Sequence, residues 1–528
     1  MFRGLRASAL WILTGVAVIL GGSTSTPAQE LARPTKPRDV PGVSWKAKGQ
    51  HGAIAAGGAE AVAAGMEIFQ AGGNAVDSGV ATLLAQTITD ASSYCFGGEV
   101  PILIANPRRR VIEVIAGQGA APRLATREHF AKAGGIPRKG IESATVPATL
   151  DACLVALERH GTMTFAQVAA PGLRLLDRGE YPWHADLART WRMLINAENQ
   201  SPQDRPRGLR LVADAFYRGP VARSIDAWAR AQGALLRFED LATHVTRVEE
   251  PVTATYRGYT VVKCGAWTQG PSLLQTLRLL EGFEFTPGGS PGPTADVVHL
   301  SVESLKLALA DRDWYYADPL FTDVPIEALL SEAYTKVRRP LIDLRRASRA
   351  WRPGDAARLQ AVLASATLPT SPKTSALDTT TCVSADNQGF VLAATPSGWS
   401  GVLAGDTGVW LGSRLQSFNL WPEHPNVIQP GKRPRITLTP TLVLDTQAQP
   451  VLAISVAGGD LQDQVALQMV VNTIDLKLTP DQAVMAPRFS TDHHVNSFGQ
   501  APPCSGASRS SARSASPSSL ISRRADMT

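Results

Sequence analysis

The chain of 528 residues is 44% hydrophobic and 19% charged, a composition that is ordinary for globular proteins and excludes intrinsic disorder of the whole chain. Its formal charge of +6 is concentrated at the two ends, where arginines outnumber acidic residues, so the body between them is nearly neutral. A neutral body gives no electrostatic basis for binding nucleic acid, and we expect no such partner.

Residues 1–28 have the features of an export signal. Two arginines precede an apolar run at 9–22 that is short for a membrane span, and small residues follow at 26–28. We therefore expect an exported protein, periplasmic or extracellular, with an N-terminal membrane anchor as the alternative. The five cysteines are widely spaced and form no CxxC pair or Cys/His cluster. The sequence thus predicts neither a disulfide framework nor a metal site.

Helical spacing and turn residues predict the elements that follow. A helix at 59–71 ends at Gly72-Gly73, and Asn74 is placed to cap a second helix at 75–86. Further helices are predicted at 148–160, 272–281 and, as the final helix, 461–474. Strands are predicted at 102–105, 111–115, 256–262, 381–385, 391–395, 442–444 and 451–456.

Asp378-Thr379-Thr380-Thr381 lies where an irregular segment, 367–378, gives way to a predicted strand. A threonine hydroxyl is a weak nucleophile unless a base lies beside it. An N-terminal threonine carries its own base, because its α-amine has a pKa near neutrality. Thr379 would become N-terminal by attacking the carbonyl of Asp378, followed by hydrolysis of the resulting ester. Taken alone, the threonine run indicates no more than a strand.

Many motifs along residues 50–498 resemble those of the γ-glutamyltransferase family, in the same order. They are Gly72-Gly73-Asn74-Ala75-Val76-Asp77, Phe96-Gly97-Gly98-Glu99, Val146-Pro147-Ala148, the segment 251–281, Ala317-Asp318-Pro319, Val324-Pro325, the segment 379–386, Pro430-Gly431-Lys432-Arg433-Pro434, Pro440-Thr441, Gly458-Gly459 and Ala486-Pro487-Arg488-Phe489. The resemblance implies the four-layer αββα sandwich of N-terminal-nucleophile hydrolases, an α/β (α+β) fold. It also implies an enzyme without a cofactor or metal.

The resemblance assigns catalytic roles to four residues. Thr379 is the nucleophile of both self-cleavage and turnover. Ser397 takes the place of a second family threonine, whose hydroxyl supports the nucleophile. The backbone N–H groups of Gly458 and Gly459 form the oxyanion hole, with an ordinary turn as the alternative.

Cleavage between Asp378 and Thr379 would divide the chain into two parts. We expect a large subunit, 29–378, and a small subunit whose folded part is 379–498, associated as a heterodimer. Residues 499–528 are rich in Ser, Arg, Pro and Ala and have no means of building a core, so they are predicted to be a low-complexity tail unlike the family's C-terminal strands.

The positions with which the family grips a γ-glutamyl group differ in this chain. Gln118 stands in place of the arginine that binds the substrate carboxylate, and Ile436 and Thr437 stand in place of two serines. Ser417 replaces the aspartate that binds the substrate amine. Trp399 falls near a substrate-contacting asparagine. The resemblance therefore places these five residues at the substrate while predicting weak γ-glutamyl recognition, because neutral hydrogen bonds are roughly half as strong as charged ones.

Two of the positions have alternative interpretations, and a third departs from the family pattern. Arg414 is a candidate for holding a substrate carboxylate, or it is an exposed loop arginine. Trp399 indicates a more apolar acyl pocket, as in β-lactam-acylase-like relatives, or it is a buried core residue. Thr381 stands where the family has a histidine after its threonine pair.

These features predict an autoproteolytically activated enzyme that resembles γ-glutamyltransferase and glutathione hydrolase. It would cleave a γ-glutamyl or related amide, such as a glutathione-like molecule, through an acyl-Thr379 ester, with transfer to water or an amine. Gln118 and Ser417 favour an alternative, an acylase of a different amide. Thr381 and the unusual tail favour a third possibility, an uncleaved and inactive relative that acts as a binding protein.

Overall fold

The computed structural model describes residues 40–285, 292–363 and 379–498. The expectations for the signal segment 1–28, for the connection 367–378 with Asp378, and for the tail 499–528 concern residues outside these ranges.

The described residues form ten strands and fifteen α-helices. The strands are β1 (Gly52–Ala56), β2 (Val100–Asn106), β3 (Val111–Gly117), β4 (Arg247–Glu249), β5 (Val252–Tyr256), β6 (Tyr259–Lys263), β7 (Cys382–Asp386), β8 (Val391–Ala394), β9 (Thr441–Leu444) and β10 (Pro450–Ile454). The helices are α1 (Ala59–Gln70), α2 (Ala75–Thr89), α3 (Arg127–Lys132), α4 (Thr149–His160), α5 (Phe165–Asp177), α6 (Pro182–Glu198), α7 (Arg205–Tyr217), α8 (Pro220–Gln232), α9 (Phe238–Ala242), α10 (Pro271–Leu280), α11 (Ala295–Tyr315), α12 (Ile326–Leu329), α13 (Glu332–Arg338), α14 (Gln462–Ile474) and α15 (Pro480–Met485).

Two antiparallel sheets stack face to face. The first has the order β1-β7-β8-β2-β3-β4 and the second the order β10-β9-β6-β5. Strand β2 is buried at every position because both of its faces are covered. Leu103 points into the layer between the sheets, where Val262 and Leu442 come from the second sheet. Its neighbours Ile102 and Ile104 point the other way, as alternation along a strand requires.

Helices cover the outer faces of both sheets. Ile102 and Ile104 join a core with buried residues of α1, α2, α4, α5, α6, α7 and α8. On the far side, Val261 and Val443 pack with buried leucines of α10 and with α11 and α14. The layers are therefore helix, sheet, sheet and helix, and the predicted α+β class is confirmed.

Strands from before and after residue 379 pair with each other in both sheets. The hairpin of β7 and β8 lies between β1 and β2, with Ala55 opposite Val383 and Ile102 opposite Ala394. In the second sheet, β9 pairs with β6. Both sheets are therefore built from the two halves of the chain together.

Most of the predicted elements are confirmed within a few residues. Asn74 caps α2 in a capping box with Asp77. This structural role is enough to explain the Asn and the Asp of that motif. The single strand predicted at 256–262 is wrong. It is the hairpin of β5 and β6, whose turn residues Arg257 and Gly258 have φ of 51° and 83°. Such a tight turn requires positive φ at both central positions, and Arg257 gives little sign of it. The helix predicted to be the last is followed by α15.

Two other observations concern the described ranges only. None of the helices in them combines the length and apolarity needed to cross a bilayer. Cys95, Cys153, Cys264 and Cys382 are buried, and none of these four forms a disulfide there.

Candidate active site

Thr379 lies just before β7 and faces Ser397, which follows the end of β8. The two residues form an isolated antiparallel bridge, and Thr379 Oγ1 is 3.2 Å from Ser397 Oγ. Ser397 is fully buried, whereas Thr379 is partly accessible. The sequence separation of eighteen residues is thus closed by the β7–β8 hairpin, which brings together the two hydroxyl groups that the sequence analysis had singled out.

The backbone just after Thr379 is held on several sides. Thr380 N donates to Pro396 O at 3.0 Å. The carbonyl oxygen of Thr381 accepts from Gly57 N at 3.1 Å and from Gln86 Nε2 of α2 at 2.9 Å. A Cβ at Gly57 would lie 2.1 Å from Thr380 Oγ1, so only glycine fits there. The start of β7 is therefore fixed before any substrate arrives.

The glycine-rich loop before β2 packs its backbone directly against Ser397. Glu99 N donates to Ser397 O, and Ser397 N donates to Glu99 O, both at 3.0 Å. A Cβ at Gly98 would lie 2.4 Å from Ser397 O, which explains the glycine at that position. The loop thereby fixes the backbone of the residue that faces Thr379.

Arg414 joins this group from the 3₁₀ turn Arg414–Ser417. Its Nε donates to Glu99 Oε1 at 2.5 Å and its Nη2 donates to Ser397 Oγ at 2.6 Å. Arg414 is only 1% exposed, so the alternative of an exposed loop arginine is wrong. We refer to Thr379, Ser397, Arg414 and Glu99 as the nucleophile network.

The nucleophile network fixes the direction of a hydrogen bond. A guanidinium group only donates, so Ser397 Oγ accepts from Arg414 and its own proton is set to be donated. Thr379 Oγ1 is one acceptor within reach. The sequence analysis places Glu99 in a motif and assigns it no role. Its position as an acidic residue at the end of a glycine-rich loop was the signal that could have indicated one.

Gly458 and Gly459 form a turn between β10 and α14. Their φ angles of 120° and 61° favour glycine, and Gly459 begins the 3₁₀ turn Gly459–Leu461. Ser455, just before this turn, contacts Thr395 at the end of β8, with 3.0 Å between the two hydroxyl oxygens. The glycine turn therefore lies beside the strand end that leads to Ser397.

A buried charge cluster supports the glycine turn from behind. Arg312 Nη1 donates to Asp460 Oδ1 at 2.6 Å and to Gln269 Oε1 at 2.7 Å, and Gln269 Nε2 donates to Gly459 O at 3.4 Å. Burial by itself raises the pKa of Asp460. The charges of Arg312, His494 and Arg435 outweigh that effect, so the pKa of this carboxyl lies below its usual range. Asp460 is therefore ionised and anchored.

The predicted substrate-binding positions fall into two groups. Gln118 Oε1, Ser417 Oγ and Thr437 Oγ1 are buried and have no hydrogen-bond partner among the described residues. Ile436, in contrast, is fully buried in the apolar layer between the sheets. Trp399 is 1% exposed and packs on Trp410 with 6.0 Å between ring centroids, so it is a core residue.

A stacked pair of antiparallel sheets with a threonine hydroxyl at the start of a central strand is the arrangement of N-terminal-nucleophile hydrolases. Within the described ranges, no three His, Cys, Asp or Glu side chains gather as a potential metal site.

Comparisons with known proteins agree on one family. The family described as Gamma-glutamyltranspeptidase matches residues 61–206 and 185–502. The Acylase ACY 1 proenzyme of Pseudomonas sp. (strain SE83) is 31% identical over 500 residues, covering 87% of this chain and 85% of the relative. The Glutathione hydrolase proenzyme of Escherichia coli (strain K12) is 29% identical over 527 residues, covering 91% and 87%. The crystal structure of cephalosporin acylase from Bacillus halodurans matches with a TM-score of 0.68 at 28% identity, covering 86% of each chain.

The chain belongs to the γ-glutamyltranspeptidase family. The resemblance stated from the motifs is confirmed, and so is the expectation of an enzyme of this type. The relatives include both glutathione hydrolases and acylases, which fits the main functional prediction and its acylase alternative.

Proposed function

We propose that the protein is made as a precursor that cuts itself between Asp378 and Thr379 and then cleaves amides through an acyl-Thr379 ester. The contact of 3.2 Å between Thr379 Oγ1 and Ser397 Oγ carries this proposal, because it pairs the candidate nucleophile with a second, oriented hydroxyl group. The word proenzyme in the relatives' names supports the self-processing step.

In the cut form, the new α-amine of Thr379 takes the Oγ1 proton as Oγ1 attacks the substrate carbonyl. Ser397, oriented by Arg414, donates to Thr379 Oγ1 and steadies it during the attack. The backbone N–H groups of Gly458 and Gly459 receive the negative charge that develops on the carbonyl oxygen. One such donor is worth about 3 kcal/mol in the transition state. The amine leaves, and water or an acceptor amine then attacks the ester.

The two products of self-cleavage remain together as a heterodimer of a large subunit, 29–378, and a small subunit beginning at Thr379. Support comes from the sheets, in which β7 and β8 lie between β1 and β2 and β9 pairs with β6. Separating the subunits would break both sheets. The signal segment 1–28 directs export to the periplasm or the exterior. Recovery of the protein from the periplasmic fraction with a processed N-terminus would test that step.

The substrate is a small-molecule amide, glutathione-like or another acyl amide. An acylase of an amide other than γ-glutamyl is a second candidate, and two observations favour it. Ile436 lies in the apolar core and offers no hydroxyl to a carboxylate. Arg414 donates from Nε to Glu99 and from Nη2 to Ser397 inside the protein. It is therefore a poor replacement for the arginine with which the family binds the substrate carboxylate.

N-terminal sequencing of the exported protein after denaturing electrophoresis tests the self-processing step. We expect two bands, the smaller beginning Thr-Thr-Thr-Cys-Val-Ser. Thr379→Ala should give one full-length band and no turnover, whereas Thr379→Ser keeps a hydroxyl and should still be cut. Cleavage and turnover by Thr379→Ala would overturn the proposal. A persistent single band from the unaltered chain would favour an inactive binding protein. Assays of γ-glutamyl and apolar acyl anilides side by side then separate the two candidate substrate classes.

A further inference from the structure

The glycine turn between β10 and α14 contains two successive glycines, and a Gly-Gly pair has little preference of its own for one backbone conformation. Inside the turn, Gly458 O accepts from Leu461 N at 3.2 Å, and Gly459 O accepts from Gln462 N. These bonds set the shape of the turn. Its orientation against the rest of the protein must come from groups outside it.

The N–H groups of the two glycines are left for another partner. Among the described residues, neither Gly458 N nor Gly459 N donates a hydrogen bond. The peptide between the two glycines is trans, so its N–H points away from the side on which Gly458 O accepts from Leu461. Both donors are therefore available to the carbonyl oxygen of a substrate, as long as the turn keeps its orientation.

Gln269 reaches the glycine turn from the loop before α10. Its Nε2 donates to Gly459 O at 3.4 Å, and its side chain is fully buried. The backbone of Gln269 is held on both sides, because Gln269 N donates to Ile436 O and Ser272 N donates to Gln269 O, each at 3.0 Å. The amide group is thus presented to the turn from a fixed backbone.

Arg312 determines which end of the Gln269 amide faces the turn. Its Nη1 donates to Gln269 Oε1 at 2.7 Å. A guanidinium group has no acceptor, so the amide oxygen must face Arg312 and the amide nitrogen must face Gly459 O. The reverse orientation would place two donors against each other at Arg312 and two acceptors against each other at Gly459.

Arg312 is itself fixed in one orientation. It is fully buried on α11, and each of its three nitrogens donates a hydrogen bond. Nε donates to Asp313 Oδ1 at 2.9 Å, Nη1 also donates to Asp460 Oδ1 at 2.6 Å, and Nη2 donates to Val495 O at 2.7 Å. Because Asp460 belongs to the glycine turn, the same guanidinium group holds the turn by a second route.

We propose that Gln269 is a positioning residue of the reaction, which orients the N–H groups of Gly458 and Gly459 toward the substrate carbonyl oxygen, and that Arg312 orients Gln269. Gln269 acts through Gly459 O and contacts no reacting atom in this role. The inference rests on the proposed acyl-Thr379 chemistry, in which those N–H groups receive the developing negative charge. Donors of this kind act mainly in the transition state, so the effect falls on kcat and not on KM.

The test uses the purified, self-cleaved enzyme with whichever of the two anilide classes it turns over faster. Gln269→Glu keeps an acceptor for Arg312 and replaces the donor to Gly459 O by a second oxygen. We expect kcat, per mole of cut chain, to fall about 10- to 100-fold with KM within about twofold of the unaltered value. Loss of a whole oxyanion donor would cost more, roughly 100- to 1,000-fold. Gln269→Met adds no charge and should also lower kcat, which serves where Gln269→Glu does not fold.

Gln468→Glu is the matched control. Gln468 is also buried, and its Nε2 donates to two backbone carbonyl groups, Gln464 O at 2.9 Å and Phe489 O at 2.8 Å. Neither carbonyl belongs to the glycine turn. The substitution thus disturbs a buried amide of the same kind, and kcat should stay within about twofold of the unaltered value. The melting temperature of each variant checks its folding.

The outcomes separate this inference from the function on which it rests. Unchanged kcat in a folded Gln269→Met enzyme would overturn the positioning role and leave the acyl-Thr379 chemistry standing. A rise of KM alone would also overturn it, because Gln269 would then bind the substrate. An equal loss of kcat in Gln468→Glu would do the same, since the disturbance of any buried amide would then suffice.

If the unaltered protein cleaves neither itself nor an anilide, amide hydrogen exchange decides. Leu461 N and Gln462 N donate inside the glycine turn, so their exchange rates measure how firmly the turn is held. Exchange about tenfold faster in Gln269→Met than in Gln468→Glu would support the positioning of the turn while counting against the proposed chemistry. Equal exchange in the two variants would overturn the positioning role.

Discussion

The nucleophile network and the wall of a small cleft at Ser417 and Arg435 differ in how their buried polar atoms are bonded. In the network, successive hydrogen bonds of 2.5, 2.6 and 3.2 Å link Glu99, Arg414, Ser397 and Thr379. At the cleft wall, Ser417 Oγ and Arg435 Nη1 have no hydrogen-bond partner among the described residues. Buried polar groups are nearly always paired in folded proteins, so these two atoms are exceptions to that rule.

The difference shows which groups the protein holds in place before the substrate binds. Groups that act in every turnover are fixed by the protein before substrate binds, because preorganised dipoles cost nothing to align during the reaction. The cleft wall at Ser417 and Arg435 has no comparable chain of hydrogen bonds among the described residues.

The largest expected effect comes from breaking the network at Arg414. Arg414→Met leaves the Glu99 carboxylate buried without its partner, which costs about 3–5 kcal/mol of unfolding free energy. Chemical denaturation of the variant measures this loss. The double variant Glu99→Gln/Arg414→Met should recover most of the stability without recovering self-cleavage, because Ser397 is still not oriented. Equal recovery of stability and cleavage would mean that the pair has a structural role only.

A smaller effect is expected from Ser397, whose hydroxyl lies between Arg414 and Thr379. Ser397→Ala should lower kcat about 10- to 100-fold with little change in KM, since one charge-assisted hydrogen bond in the network is lost. Ser397→Thr keeps the hydroxyl and serves as the matched control. A pure KM effect in Ser397→Ala would mean that this hydroxyl group binds the substrate and does not support the nucleophile.

Gly57 tests whether the network needs a fixed backbone at the start of β7. Gly57→Ala places a methyl group 2.1 Å from Thr380 Oγ1, and such overpacking costs about 1–3 kcal/mol. We expect slower appearance of the two subunit bands. Gly265→Ala is the control, because a methyl group there would make only ordinary contacts, the nearest at 3.6 Å from the ring of Trp267. Equal cleavage rates in both variants would contradict the proposed need for a fixed strand start.

The smallest effect concerns a paired carboxylate on β3, that of Glu113. The hydrogen bond from Arg159 lowers the pKa of Glu113 to about 2, with further help from His160 and Arg109. A lowered folded-state pKa stabilises the protein above the unfolded value near 4.3, and the contribution is lost as pH falls toward 2. Glu113→Gln should therefore flatten the fall in melting temperature between about pH 4.5 and 2. An unchanged acid limb in the variant would show that other carboxylates govern it.

Local signals predicted most elements because caps and turns are encoded by neighbouring residues. Asn74 illustrates this, as its cap depends on residues only two or three positions away. The hairpin at Arg257 was missed because a positive φ there is imposed by strand pairing and not by the side chain. Motif resemblance singled out Thr379 and Ser397, whose hydroxyl oxygens lie 3.2 Å apart in the structure, and their catalytic roles stay a prediction.

The burial of Arg414 could not be read from the sequence. Its partner Glu99 is 315 residues away, and an arginine in a polar loop has no local feature that distinguishes a buried state from an exposed one. The same holds for Arg435, which contacts Ser497 across 62 residues. Long-range contacts of this kind exist only once the chain has folded, so only the structure reveals them.

Because β7 and β8 lie between β1 and β2, the uncut precursor and the cut form must refold in different ways. The precursor folds as one chain, so its strands find one another at a local concentration set by their tether. After the proposed cut, the same strands belong to two chains, and refolding becomes a bimolecular search that depends on protein concentration. The mature form would therefore be protected by the slowness of its unfolding and not by an equilibrium. The cut would therefore make the lifetime of the folded protein depend on its unfolding rate, because the tether that joined the two halves is gone.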